Sequence, residues 1–307
     1  MHIGPMTHVR SRARREVIAT LLACAVTGSV LAASVPIFNA GFEDNSVGVP
    51  FNEFTFGPPA GWNLYDPSGI TNGGAGNIYY LGTVTPFEID PIGNPGVYGN
   101  YPAGAAEGQR LAIAFNFVGS GGQGAYGIRQ TLNAVLAPFT TYTLTVEIGN
   151  IASGTAMNGQ FFNLNGFPGY RVELLAGGVI IAQDNNALAG SIPEGTFVMT
   201  TVALTTCGTH RQMGLPLSIR LINLNVVDPA FPNAHIEVNF DDVQLDATST
   251  LAEADLNADG TVNGADLAIV LGAWATNGQP SGADLDGNGT VNGADLAIVL
   301  GSWGGGC

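Results

Sequence analysis

Near the C-terminus, oxygen-bearing side chains recur on alternate positions of a short segment, and the segment occurs twice. The first copy places Asp255, Asn257, Asp259, Thr261, Asn263 and Asp266 in this way; the second places Asp284, Asp286, Asn288, Thr290, Asn292 and Asp295. Each set occupies positions 1, 3, 5, 7, 9 and 12 of a twelve-residue loop, with Gly260 or Gly289 at position 6. Ca²⁺ takes about six to eight hard oxygen ligands, and a tight loop supplies them by aiming alternate residues inward. The glycine makes the sharp turn, and position 7 gives its backbone carbonyl. The Asn/Asp order at positions 3 and 5 swaps between the copies, so each loop keeps three liganding aspartates. The spacing predicts two Ca²⁺ ions, one per loop.

The copies run Asp255–Trp274 and Asp284–Trp303, agree at 16 of 20 positions and repeat with a period of 29 residues. After each loop an apolar stripe follows at helical spacing: Leu267, Val270, Leu271 and Trp274, then Leu296, Val299, Leu300 and Trp303. The spacing predicts two short helices whose matching faces pack on one another. So small a core leaves metal binding to supply much of the folding free energy. The pair resembles a type I dockerin, which carries two EF-hand-like loop–helix units without the entering helix. Asp at position 12 in both copies fits that pattern. The resemblance implies docking to a cohesin-like domain of another protein. The sequence departs from cellulosomal dockerins at Gly264-Ala265 and Gly293-Ala294, where those often carry Ser or Thr, and its helix faces lack Lys and Arg.

Something must precede such a tail. The 307-residue chain carries 24 acidic residues against 9 basic ones, all arginine, four of them within the first fifteen positions. This balance disfavours nucleic acid and anionic membrane surfaces as partners and favours divalent cations. Arg10, Arg12, Arg14 and Arg15 precede the apolar run "VIATLLACAVTGSVLAA", with small residues at Ala32, Ala33 and Ser34. Residues 1–34 therefore read as an export signal, making the mature protein secreted or displayed at the cell surface without a membrane span. Lipoprotein anchoring at Cys24 is the second reading. Removal of the signal leaves five Arg against 23 acidic residues. Of the remaining cysteines, Cys207 and Cys307, export permits a disulfide, and two free thiols stand as the alternative. Cys207 and His210 would make only half a metal site.

From residue 35 to 247, short apolar runs alternate with Gly, Pro and Asn. Strands are predicted at 51–56, 61–65, 77–81, 109–117, 126–132, 141–148, 169–175, 179–183, 197–204, 217–224 and 235–245. "YRVELLAGGVIIAQ" reads as a hairpin around Ala176-Gly177-Gly178. No long helical period occurs before residue 250, so this is a β-sandwich of one domain. A linker follows at 248–254, then the repeats at 255–307. "NAGFEDN" (39–45) and "VNFDDVQLDA" (238–247) resemble the ends of the galactose-binding-like jelly roll of carbohydrate-binding modules. That resemblance implies adjacent ends sharing a structural calcium held by Glu43 and Asp241 or Asp242. The fold class is thus an all-β jelly-roll sandwich followed by a small α-helical, calcium-binding dockerin-like module.

No catalytic motif stands out: there is no G-x-S-x-G, H-E-x-x-H, P-loop or Rossmann pattern. His210 and His235 are poor material for a triad. Glu107, Glu147, Glu173, Glu194 and Glu237 are carboxylates that glycoside hydrolysis could use. Trp62, Tyr65, Tyr79, Tyr80, Tyr98, Tyr101 and Tyr126 are aromatics that a sugar could stack on, and no individual sugar contact is assigned. The leading expectation is a non-catalytic sandwich binding polysaccharide or matrix and docking to a cohesin-like partner. A polysaccharide-degrading glycoside hydrolase and a purely structural surface protein are the alternatives.

Overall fold

The computed structural model describes residues 33–44, 55–74, 79–85, 100–155, 160–250 and 252–304. The strands are β1 (Ala33–Ser34), β2 (Asn63–Tyr65), β3 (Tyr79–Val84), β4 (Leu111–Asn116), β5 (Tyr126–Val135), β6 (Thr140–Asn150), β7 (Gly154–Thr155), β8 (Phe161–Phe162), β9 (Tyr170–Ala176), β10 (Val179–Asp184), β11 (Thr196–Thr206), β12 (Pro216–Asn223) and β13 (Ile236–Ser249). Two antiparallel sheets face each other, one ordered β11-β6-β13-β4-β3 with β1 on β13, the other β10-β9-β12-β5-β2. β7 and β8 form a separate ribbon.

Period-2 patterning decides which face is buried. In β6, Tyr142, Leu144, Val146 and Ile148 enter the core between the sheets, where they meet Tyr170, Val172 and Leu174 of β9 and Leu217, Ile219 and Leu221 of β12. The predicted hairpin forms, with Val179 opposite Ala176 and both turn glycines in the left-handed region (φ +58° and +81°) that L side chains avoid. Two expectations change. Thr55 and Phe56 are not in a strand, and 51–54 lies outside the described residues. Ala33–Ser34, placed in the signal by sequence, pairs with Ala247 and Asp246, and residues 1–32 lie outside the described residues.

A second apolar cluster, Val84, Tyr101, Leu111, Ile113, Phe115, Ile151 and Leu164, covers the outer face of the first sheet. That face is lined by alternate residues of β4 and β13, including Glu237 and Asn239, whose neighbours Val238 and Phe240 point into the main core.

The tail has helices α1 (Gly264–Gly272) and α2 (Gly293–Gly301). Each starts at an asparagine cap, Asn263 or Asn292, in a capping box closed by Asp266 or Asp295. The apolar face differs from expectation. Only Val270 and Val299 of the expected stripes are fully buried, joined by Ala254, Val262, Ala283 and Val291. Leu271, Trp274, Leu300 and Trp303 are 43–53% exposed. Each helix ends after nine residues, before its tryptophan, and Val262 and Val291 from position 8 of the loops fill the space between helices instead. The tail touches the sandwich at Phe139, whose ring lies so close to Gly260 and Gly208 that a Cβ there would come within 2.1 and 2.7 Å of it. Cys207 is disulfide-bonded, which removes it as a thiolate metal ligand, and its partner lies outside the described residues.

Candidate functional site

The outer face of the first sheet carries the least ordinary chemistry. In register across β3, β4 and β13, Tyr80 stands opposite Phe115 and Phe115 opposite Glu237. Tyr80 and Phe115 stack at 5.5 Å, and Phe117, Phe162 and His235 surround Phe115 at centroid distances of 5.0–5.9 Å. Glu237 sits buried beside this aromatic wall. Burial pushes its carboxyl up to about 7, against a lowering hydrogen bond from Asn239. The Asn239 amide donates to Glu237 Oε1 at 2.8 Å and accepts from the Tyr101 hydroxyl at 2.6 Å. Burial, then Glu237 and Asp241, raises Tyr101 well above the usual phenol value, so it stays a hydrogen-bond donor. Tyr101 in turn stacks on Phe197 at 4.3 Å. His235 Nδ1 accepts from the Val118 N–H, and burial lowers its pKa, so the ring is neutral. The result is a largely buried, π-rich cluster around one carboxyl that burial raises to about 7, a value suited to giving and taking back a proton near neutrality.

Sequence reasoning counted Glu237 and Tyr101 among general candidates and did not pair them. They lie 136 positions apart, and only sheet register and the loop carrying Tyr101 unite them. The other candidates scatter. Glu173 is buried in ion pairs with Arg171 (2.7 Å) and Arg220 (3.0 Å), and Glu194 is exposed on a loop. Trp62 is buried with its indole N–H on Asn39 O, and Tyr126 is buried in the core, so neither offers a sugar platform. Tyr98 and the side chain of Tyr79 lie outside the described residues.

The ends of the sandwich do meet. Glu43 Oε1 accepts from the backbone N–H groups of Gln109 (2.7 Å) and Arg110 (2.6 Å). Asp241, beside a bulge in β13, accepts from the N–H groups of Glu107 and Asp242. Burial, with Glu107 adding repulsion, pushes Asp241 up to about 7; burial, then Glu43 and Asp242, raises Glu107. Glu147, opposite Asp241, is raised by burial and then Asp242. Such a mutually repelling acidic group suits a cation. Among the described residues, however, only Asp284, Asp286 and Asp295 bring three carboxylates within 4.8 Å of one another.

That trio belongs to the second loop of the tail. Asp284 Oδ1 is buried without a hydrogen-bond partner, which a metal ion would supply. Burial acts to raise Asp295, but the N–H groups of Asn292, Asp286 and Leu285 outweigh it and hold its carboxyl below the usual range. In the first loop, Asp255 Oδ2 accepts from the Gly260 N–H, and Asp266 from the Leu256, Asn257 and Asn263 N–H groups. The donor sets of both loops are all oxygen, as Ca²⁺ requires.

Residues 33–246 match the family model described as HpiC1-like, HpiC1 cyclase, and residues 253–301 match the dockerin type I domain. A Stig cyclase from Fischerella sp. TAU, crystallised with (3Z)-3-(1-methyl-2-pyrrolidinylidene)-3H-indole, is 37% identical, covers 71% of this chain and 99% of its own, and superposes with a TM-score of 0.58. A cyclase from Fischerella sp. TAU crystallised with 4-(1H-indol-3-yl)butan-2-one is 36% identical over 71% of this chain and 98% of its own, TM-score 0.58. No curated protein sequence matches the chain. Where the ends of the sandwich suggested a non-catalytic carbohydrate-binding module, these matches lie with cyclases; the dockerin and its calcium-binding character stand.

Proposed function

The chain belongs to the HpiC1-like cyclase family and carries a dockerin type I domain behind its sandwich, and on that premise we propose that the sandwich is a cyclase acting on an indole-bearing substrate. The observation that carries this reading is Glu237: a buried carboxyl raised to about 7, in register with Phe115 and Tyr80. The protonated form gives its proton to the substrate's unsaturated side chain. Cationic charge then develops against the faces of Tyr80 and Phe115, where ring quadrupoles stabilise it. Attack by the indole carbon closes the ring, and loss of a proton restores both the aromatic system and Glu237, so the overall change is an isomerisation. A pKa near the working pH suits both directions of transfer. Asn239 and Tyr101 orient the carboxyl. The indole compounds bound by the Fischerella cyclases support the substrate class.

The finer readings of the rest follow from the sequence patterns. The sandwich is a jelly roll; each tail loop takes one Ca²⁺; Glu43 with Asp241 or Asp242 takes a third. The dockerin domain implies a cohesin partner, which the exposed Leu271, Trp274, Leu300 and Trp303 would meet. The export signal ends ahead of Ala33, which pairs from β1 with Ala247, and Cys207 pairs with Cys307.

The test is ring closure of an alkenyl-indole substrate, followed by chromatography and NMR, with wild type and Glu237→Gln. Cyclised product of unchanged mass from wild type only is the expected result. Equal turnover by the glutamine variant overturns the assignment.

A further inference from the structure

Among the described residues, the outer face of the second sheet holds a concentration of positive charge that the rest of the acidic chain does not. Three of the five arginines beyond residue 16 stand on it: Arg129 on β5, Arg220 on β12 and Arg171 on β9. Their neighbours along each strand, Ile128, Ile219, Leu221, Tyr170 and Val172, fill the core, so period-2 alternation points the arginines outward. Arg129 and Arg220 are direct cross-strand partners, with Asn63 beyond Arg129 and Glu173 beyond Arg220 in the same row. Like charges directly opposite one another destabilise a sheet, and their Cβ atoms stand only about 5 Å apart.

The two guanidinium groups are not equivalent. Arg220 is held in place: its Nη1 meets Glu173 at 3.0 Å, and its Cζ lies 4.6 Å from the centroid of the Tyr65 ring. Gly127, between Tyr65 and Ile222 in register, has no side chain to obstruct that approach. Arg171 takes the other carboxylate oxygen of Glu173. The Arg129 side chain is exposed, and its guanidinium has no hydrogen bond or ion pair among the described residues. One buried carboxylate is thus shared by two arginines while a third faces them unmatched.

We propose that Arg129 and Arg220 form a binding site for an oxyanion group, a carboxylate, sulfate or phosphate, flanked by Asn63 and Arg171. Two guanidinium forks on adjacent strands reach one such group together, and Arg is suited to it by its planar, always-charged donor array. The bound anion would relieve the repulsion between the paired arginines. The site lies on the opposite sheet from Glu237 and goes beyond the cyclase reading.

The experiment uses the full chain at fixed calcium in chloride buffer. One arm titrates inorganic sulfate by calorimetry; the other measures retardation in native gels cast with polygalacturonate, with neutral xylan as control. Arg129→Gln removes the exposed partner. Arg220→Gln combined with Glu173→Gln removes the fixed one while keeping the buried charge balanced. Arg211→Gln makes the same charge change at an exposed arginine outside the row. We expect wild type and Arg211→Gln to bind equally, and the Arg129 and Arg220 variants to bind roughly tenfold more weakly. Sulfate binding identifies a free oxyanion, and retardation by polygalacturonate alone identifies one carried on a polymer. Absence of binding in both arms, or equal weakening by Arg211→Gln and Arg129→Gln, overturns the proposal.

Discussion

Replacing Glu237 by glutamine moves stability and activity in opposite directions. The carboxyl titrates at the ordinary 4.5 in the unfolded chain and at about 7 in the fold. A raised acid pKa means that the folded state holds the proton more tightly than the unfolded state. Below about pH 4.5 both states are protonated and nothing is lost. As pH rises toward 7 the unfolded chain ionises first, and wild-type stability falls. Above 7 the full difference stands, about 3 kcal/mol of destabilisation. Glutamine cannot ionise, yet its amide oxygen still accepts from Asn239. Denaturant melts at fixed calcium should therefore show the variant more stable than wild type by about 3 kcal/mol near pH 8, and equal to it within about 1 kcal/mol near pH 4. Asp241 also rises to about 7 and titrates in the same window, but it is present in both proteins and cancels in the difference. Ring closure by the same variant should fall by roughly a hundredfold or more. A stability difference that does not change with pH would refute the buried, protonated carboxyl.

The tail and the calcium sites make further predictions. Asp255→Ala combined with Asp284→Ala should remove the calcium-dependent helical signal of the tail, read by circular dichroism of the full chain before and after chelator; chelator sensitivity equal to wild type contradicts the ligand assignment. Glu43→Gln should abolish calcium stabilisation of the sandwich transition, worth about 2.7 kcal/mol at a hundredfold excess over the dissociation constant, as read by calorimetry. Val299→Ala, at a fully buried position between the helices, should cost roughly 2 kcal/mol of tail stability in a chemical melt. Leu271→Lys with Leu300→Lys should leave that melt unchanged and abolish capture by an immobilised cohesin domain. Non-reducing peptide mapping should recover Cys207 joined to Cys307, and recovery of Cys307 as a free thiol would exclude that pairing.

Much of this protein is legible from residues close together in the chain. The two loops of the dockerin domain can be read by position because all their oxygen-bearing side chains lie within twelve residues, where local backbone geometry alone sets their spacing. The hairpin at Gly177-Gly178 is equally local, since its turn requires two residues with positive φ. Strand positions such as 140–150 follow from alternation, which records burial on one face. The helix faces were legible only in part. Helical spacing groups Leu271 and Trp274 with Val270, but where α1 ends and what fills the space beside it depend on Val291 and Val299 from the other repeat.

What the sequence by itself determined is the division into a β-rich domain and a calcium-held tail, because composition, periodicity and loop spacing are properties of neighbouring residues. What only the tertiary structure decided is which carboxylate matters. Glu173 and Glu237 look alike as glutamates on alternating strands, yet one is neutralised by Arg171 and Arg220 and the other is pushed by burial beside Phe115 up to about 7. That difference arises from cross-strand register and from Tyr101 arriving over the sheet from far away in the chain. Desolvation depends on everything packed around a group, and no local stretch of sequence contains it.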